Sequence, residues 1–156
     1  MLKQLQRLSL ETDGRYATAA ELKFLKDYLQ TVDQRITTYE KIRQQEEQII
    51  TQTEAQVLGT NPNLFHKGNQ DYSAICQRDR KHVLRISAAA MLMDDLDSLR
   101  DGFLCWYRTI IKAFKDQRAA QATYNALPEV LAQHLSPEEV ALLRPALELD
   151  KSILTE

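Results

Sequence analysis

Apolar residues recur at intervals of three and four along nearly the whole chain, the period of a helix with one buried face. No segment alternates with the period of two that a half-buried strand requires. Leu2, Leu5 and Leu8 form a short stripe that the polar stretch Glu11-Thr12-Asp13-Gly14 ends. Thr18-Ala19-Ala20-Glu21 has the form of a capping box, in which a hydroxyl and a carboxylate satisfy the free amides of a helix start. Leu22, Leu25, Leu29, Val32, Ile36 and Tyr39 then carry one apolar face onward, and Thr31-Val32-Asp33 is the place where this run is expected to split into two helices. Gly59 with Asn61-Pro62 ends it. Residues 60–71 read as a loop turned at Gly68-Asn69.

A helix is predicted from Ser73 to Met93, broken by Asp94-Asp95-Leu96-Asp97, with Asp97 or Ser98 as the next cap. Phe103 to Phe114 is apolar nearly all round, the pattern of a helix buried on most sides. Leu127-Pro128 predicts another break. Ser136-Pro137-Glu138-Glu139 opens the last helix with a cap, a proline in the first turn and an acid at the third position. Pro145 removes a backbone donor inside that helix and predicts a kink. The sum is an all-α fold of some seven or eight helices, which both globin-like and bundle packings satisfy.

Composition narrows the class. A chain of 156 residues suits one domain and can bury a core without staples. With 44% hydrophobic and 27% charged residues it reads as globular rather than disordered. The net charge of -2, with Arg and Lys spread along the chain, argues against a nucleic-acid partner. No apolar stretch approaches the roughly 20 residues of a membrane span, and Met1 to Leu5 lacks the apolar region of a signal peptide. Cys76 and Cys105 make neither a disulfide framework nor a zinc spacing, so free thiols and the cytoplasm are expected. Nucleotide-binding, nucleophile-elbow and zinc-protease motifs are absent, so an enzyme is not expected.

The stretch from residue 68 to 95 carries the chemistry. It holds Gly68-Asn69, Tyr72, Cys76-Gln77-Arg78-Asp79, Leu84-Arg85 and Ala90-Met91-Leu92. This pattern resembles the signature of the phycobilisome protein family, the globin-like bilin carriers of cyanobacterial antennae. The resemblance implies a phycobiliprotein-type globin domain over residues 1–156, with 1–16 as an N-terminal helical extension. It implies a linear tetrapyrrole of the phycocyanobilin type, held by a thioether at Cys76. Asp79 would face its inner pyrrole N–H groups and Arg78 a propionate, with His82 as a further cofactor-binding candidate.

Physical chemistry suits those roles. A thiolate can add to a vinyl-type side chain, a carboxylate facing several N–H groups makes charge-assisted hydrogen bonds, and a guanidinium answers a propionate bidentately. Cys76 and Asp79 are i,i+3 neighbours on one helix face. Arg78 lies about 200° round from Cys76 and must reach by length. Glu11, Asp13, Arg15 and Tyr16 match the family's acid-x-acid-x-Arg-Tyr interface segment, with Arg85 matching its partner arginine. That implies a dimer, with itself or with a related subunit, in the cytoplasm at the thylakoid surface.

Departures from the family pattern set the functional expectation. His82 and Val83 stand where a Tyr-Tyr pair is usual, the segment from Gly68 to Cys76 is shorter, and Met93-Asp94-Asp95 replaces Ala-Gly-Asp. The first expectation is therefore a divergent member acting as a non-enzymatic binding or scaffold protein in bilin handling or phycobilisome biogenesis. Bilin-making enzymes are among its expected partners, as in the branch associated with bilin biosynthesis. The alternative is a chromophore-bearing antenna subunit with covalent bilin. A haem or gas-sensing globin with His82 on the iron ranks third, because His66 falls in a loop and His134 beside a break. Cys105 matches no attachment position and reads as core.

Overall fold

The capping box forms where it is expected in the computed structural model, which describes residues 1–156. The Glu21 amide donates to Thr18 Oγ1 at 3.2 Å and the Thr18 amide to Glu21 Oε2 at 2.8 Å. Helix α1 (Leu2–Glu11) precedes it, and α2 (Lys23–Thr60) follows after one further turn. The expected split at Thr31-Val32-Asp33 does not occur: α2 runs unbroken for 38 residues. Thr31 Oγ1 donates back to the Tyr28 carbonyl at 3.2 Å and accepts from Arg35 Nε at 3.0 Å, so this polar residue is absorbed within the helix. Leu29 and Ile36 remain exposed, which leaves part of the α2 stripe uncovered.

The loop after Thr60 is not wholly irregular. β1 (His66–Lys67) and β2 (Gln70–Asp71) pair as a two-residue antiparallel hairpin. Gly68 supplies the positive φ, 59°, that such a turn needs at its first loop position. These strands are too short for an alternating pattern to register, and only the Gly-Asn turn announces them.

Helix α3 (Ser73–Met93) has the predicted bounds and ends on Asp94 in the left-handed region. The next helix, α4 (Leu96–Leu99), is capped by Asp95 rather than by Asp97 or Ser98. Asp95 accepts from the Ser98 amide at 3.1 Å and from the Ser98 hydroxyl at 2.7 Å. A π-helical turn (Arg100–Leu104) leads into α5 (Cys105–Phe114). Burial on most sides is not found there: Ile111 is the one buried residue of α5, while Trp106 and Phe114 are 59% and 60% exposed. Cys105 is partly buried rather than a core residue.

Helix α6 (Gln117–His134) passes through Pro128 without the expected break. Leu127, Val130 and Leu131 bury one face around that proline, and this packing outweighs the roughly 3 kcal/mol that an interior proline costs. Helix α7 (Pro137–Leu154) likewise continues across Pro145. Its start is as predicted: the Ser136 amide donates to Glu139 Oε2 at 2.8 Å and the Glu139 amide to Ser136 Oγ at 3.3 Å.

α2 packs on both α3 and α6, and α7 packs on both α3 and α6. Ile49, Leu84, Leu131 and Leu143 are fully enclosed between these four helices, giving the all-α, globin-compatible architecture expected. No helix is long and apolar enough to cross a membrane. One acid lies inside this core. Asp150 is 1% exposed and accepts from Ser87 Oγ at 2.7 Å, while its other oxygen has no partner. Burial pushes its carboxyl up to about 7, against a smaller opposing pull from Ser87.

Candidate functional site

The hairpin, the start of α3, α5 and the start of α6 enclose a cleft of about 320 Å³, at the small end of the range for ligand sites. Eleven of its 17 lining residues are hydrophobic. α3 contributes the polar chemistry because its first two turns face the hairpin. Cys76, Arg78, Asp79 and Arg80 all line the cleft, opposite Tyr107 of α5 and Tyr124 of α6.

The structure therefore gathers three of the four residues expected to bind a cofactor. Cys76 is half-buried, and burial pushes its thiol up. Arg80 opposes that shift, while Asp116 and Asp79 reinforce it. Asp79 is partly sheltered, and its Oδ1 accepts from Arg78 Nε at 3.0 Å and Nη2 at 2.8 Å. The awkward direction of Arg78 is thus resolved at the rim, where its largely exposed side chain folds onto its own neighbour. Burial also raises the Tyr107 and Tyr124 hydroxyls, so both remain neutral donors at the cleft wall. Lys67 closes the hairpin side, 2.5 Å from Asp116 and within cation–π range of Tyr72 and Phe114.

His82 stands apart from these residues. Its ring stacks on Phe103 at 5.1 Å, on the exposed side of α3. His66 is exposed in β1, and His134 is held between Gln45 and Gln52 at 2.6 Å each. None of the three imidazoles lines the cleft, so the expected His82 ligation of a haem has no support there.

The interface candidates fall into two places. Glu11, Asp13, Arg15 and Tyr16 form one exposed corner after α1, with Tyr16 97% exposed. Arg15 is tied there to Glu21 at 2.7 Å and Glu11 to Arg7 at 2.6 Å. Arg85 lies elsewhere on α3, where Nε and Nη2 grip both oxygens of Glu46 at 2.6 Å.

Sequence reasoning missed Arg80, Tyr107, Tyr124 and the Lys67–Asp116 pair as cleft residues. Arg80 was within reach, because it is i+4 from Cys76 and so shares its face. The tyrosines and the pair lie far apart in the chain and meet through tertiary packing alone.

The phycobilisome protein family model matches residues 8–153. The chain is 32% identical over 92 residues to the allophycocyanin alpha-B chain of Cyanophora paradoxa, an alignment that spans 56% of this chain and 57% of that one. It is 24% identical over 148 residues to allophycocyanin subunit beta-18 of Aglaothamnion neglectum, covering 92% and 83% of the two chains. To the allophycocyanin alpha chain of Thermosynechococcus vestitus it is 22% identical over 139 residues, 86% of each.

Proposed function

Because the chain belongs to the phycobilisome protein family, we propose that it is a pigment-carrying, antenna-type subunit that holds a linear tetrapyrrole in the α3–α5–α6 cleft, with Cys76 as the attachment point. This sets the chromophore-bearing alternative above the pigment-free scaffold, because the relatives are allophycocyanin chains. The observation that carries the proposal is the meeting of Cys76 and Asp79 on one face of α3, inside a mainly apolar cleft.

A bound tetrapyrrole supplies visible absorption; the chain supplies a nucleophile, charge and enclosure. Cys76 would hold the pigment through a thioether, its Sγ adding to a ring side-chain double bond and the thiol proton going to the neighbouring carbon. S–H thus adds across C=C, and no oxidant or reductant is consumed. Burial keeps that thiol protonated at neutral pH, so unassisted attachment is slow and an attachment enzyme is an expected partner. Asp79 accepts N–H groups of the ligand, and Arg78 fixes the orientation of its carboxylate. The corner at Glu11, Asp13, Arg15 and Tyr16 serves docking to a second copy or a related subunit, with Tyr16 as its exposed anchor.

Co-expression with phycocyanobilin-making enzymes tests this. A denaturing gel is expected to show a zinc-fluorescent band for the natural chain and none for Cys76→Ala. A native protein without visible absorbance, and a gel without that band, would overturn the pigment-carrying proposal in favour of a scaffold in bilin handling.

A further inference from the structure

The charges lining the cleft do not cancel. Lys67 is paired with Asp116 and Arg78 with Asp79. Arg80 finds no carboxylate within the cleft; its one charge partner is Glu54, on α2 outside the lining, and its side chain is only 6% exposed. Nε and Nη2 are both buried, and neither donates a hydrogen bond. The nearest carboxylate, Glu54 on α2, stands 3.4 Å from Nη2 without forming one, while its other oxygen accepts from Gln77. The guanidinium lies over the ring of Phe65, 4.5 Å from its centre. Buried donors without partners are rare in folded proteins, and two on one side chain in a cleft call for a missing acceptor.

Nε and Nη2 form the side-on edge of the guanidinium, spaced to take both oxygens of one carboxylate. Arg85 uses that same edge to hold Glu46 in this molecule. We infer that Arg80 is the anion-holding residue of the cleft and takes a carboxylate of an elongated, conjugated ligand on its Nε–Nη2 edge. The expected propionate role thereby moves from Arg78, which is spent on Asp79 at the rim, to Arg80 deeper in. This rests on the cleft being a ligand site and defines the class of ligand: an anionic one. Glu54 competes with the ligand for the fork, so removing its charge frees Arg80 rather than damaging the site.

Pigment-free protein separates this inference from the pigment proposal. Two probe pairs differ in charge alone or nearly so: biliverdin against its dimethyl ester, and 8-anilinonaphthalene-1-sulfonate against neutral N-phenyl-1-naphthylamine. For each pair the ratio of the two dissociation constants is measured by absorbance or fluorescence titration, on variants whose far-ultraviolet circular dichroism matches the parent. Arg80→Met is expected to erode the preference for the anion at least about tenfold. Arg78→Met, which removes a rim charge already paired with Asp79, is expected to erode it much less than Arg80→Met, and Arg80→Lys to fall between Arg80→Met and the parent. Glu54→Gln is expected to strengthen anion binding, a gain that a purely structural Arg80 would not produce. An unchanged ratio in Arg80→Met overturns the inference; should that variant not fold, an unchanged ratio in Glu54→Gln does so. If biliverdin fails to bind while the sulfonate still depends on Arg80, the anion site stands and the pigment proposal falls. If biliverdin binds Arg80→Met as well as the parent, the pigment proposal stands and the anion site falls.

Discussion

Asp150→Asn is expected to abolish a loss of stability that the natural chain suffers between about pH 4 and pH 7. The carboxyl is enclosed in the core, bonded only to Ser87, and raised from 3.8 to about 7 by burial. Its folded form keeps a proton that the unfolded chain gives up above pH 3.8. The stabilising contribution is therefore complete below that value and is lost as pH climbs through about 7, after which it changes no further. At 1.36 kcal/mol per unit, the loss is on the order of 4 kcal/mol. Asparagine keeps an acceptor for Ser87 and cannot ionise, so its curve lacks this decline.

The exposed acids held low by hydrogen bonds act below it. Arg15, followed by the Thr18 groups, holds Glu21 at about 2, and Ser73 lowers Asp71. Their contributions are complete above their ordinary values of 4.5 and 3.8 and are lost as pH falls below these, the opposite direction to Asp150. Urea unfolding of both proteins from pH 4 to pH 8 measures the difference. Parallel curves would show that Asp150 is not buried as the structure has it. A gap that opens with pH, with the variant the more stable at pH 8, is the expected result.

The second large effect concerns Asp79. In the loaded protein, Asp79→Asn is expected to leave the covalent pigment at Cys76 but to move its absorption maximum to shorter wavelength and weaken it. A carboxylate opposite several N–H groups favours their protonated form, whereas an amide of the same shape lacks the charge. The pH at which the absorption collapses in alkali should drop by at least about one unit, since an opposite charge at contact distance shifts a titration by one to three. Arg78→Gln should change both quantities less, because Arg78 orients the carboxylate from the rim without replacing it. Spectra of Asp79→Asn that overlay those of the parent at every pH would remove Asp79 from the site.

Helix periodicity located most of the fold because the buried faces are long. Ser73–Met93 and the start at Ser136 were legible, the first from its apolar repeat and the second from its capping chemistry. Polar and proline signals were misleading at Thr31-Val32-Asp33 and at Pro128. Both are local preferences that packing of α2 and α6 overrides. α5 was misjudged for another reason: apolar composition does not say which side finds a neighbour, and Trp106 and Phe114 found none. In the cleft, Cys76 and Asp79 were legible from their spacing on one face. The pairing of Arg78 with Asp79 was not, because spacing gives direction but not the contact a flexible side chain chooses. Arg80 escaped because its significance lies in what it fails to touch, which no sequence displays.

Peptide mapping of the loaded protein tests the central claim most directly. After co-expression with phycocyanobilin synthesis, trypsin is expected to release the peptide from Gly68 to Arg78 carrying the mass and visible absorption of one phycocyanobilin at Cys76. A pigment found on the Cys105 peptide instead, or Cys76 recovered wholly unmodified, would contradict it.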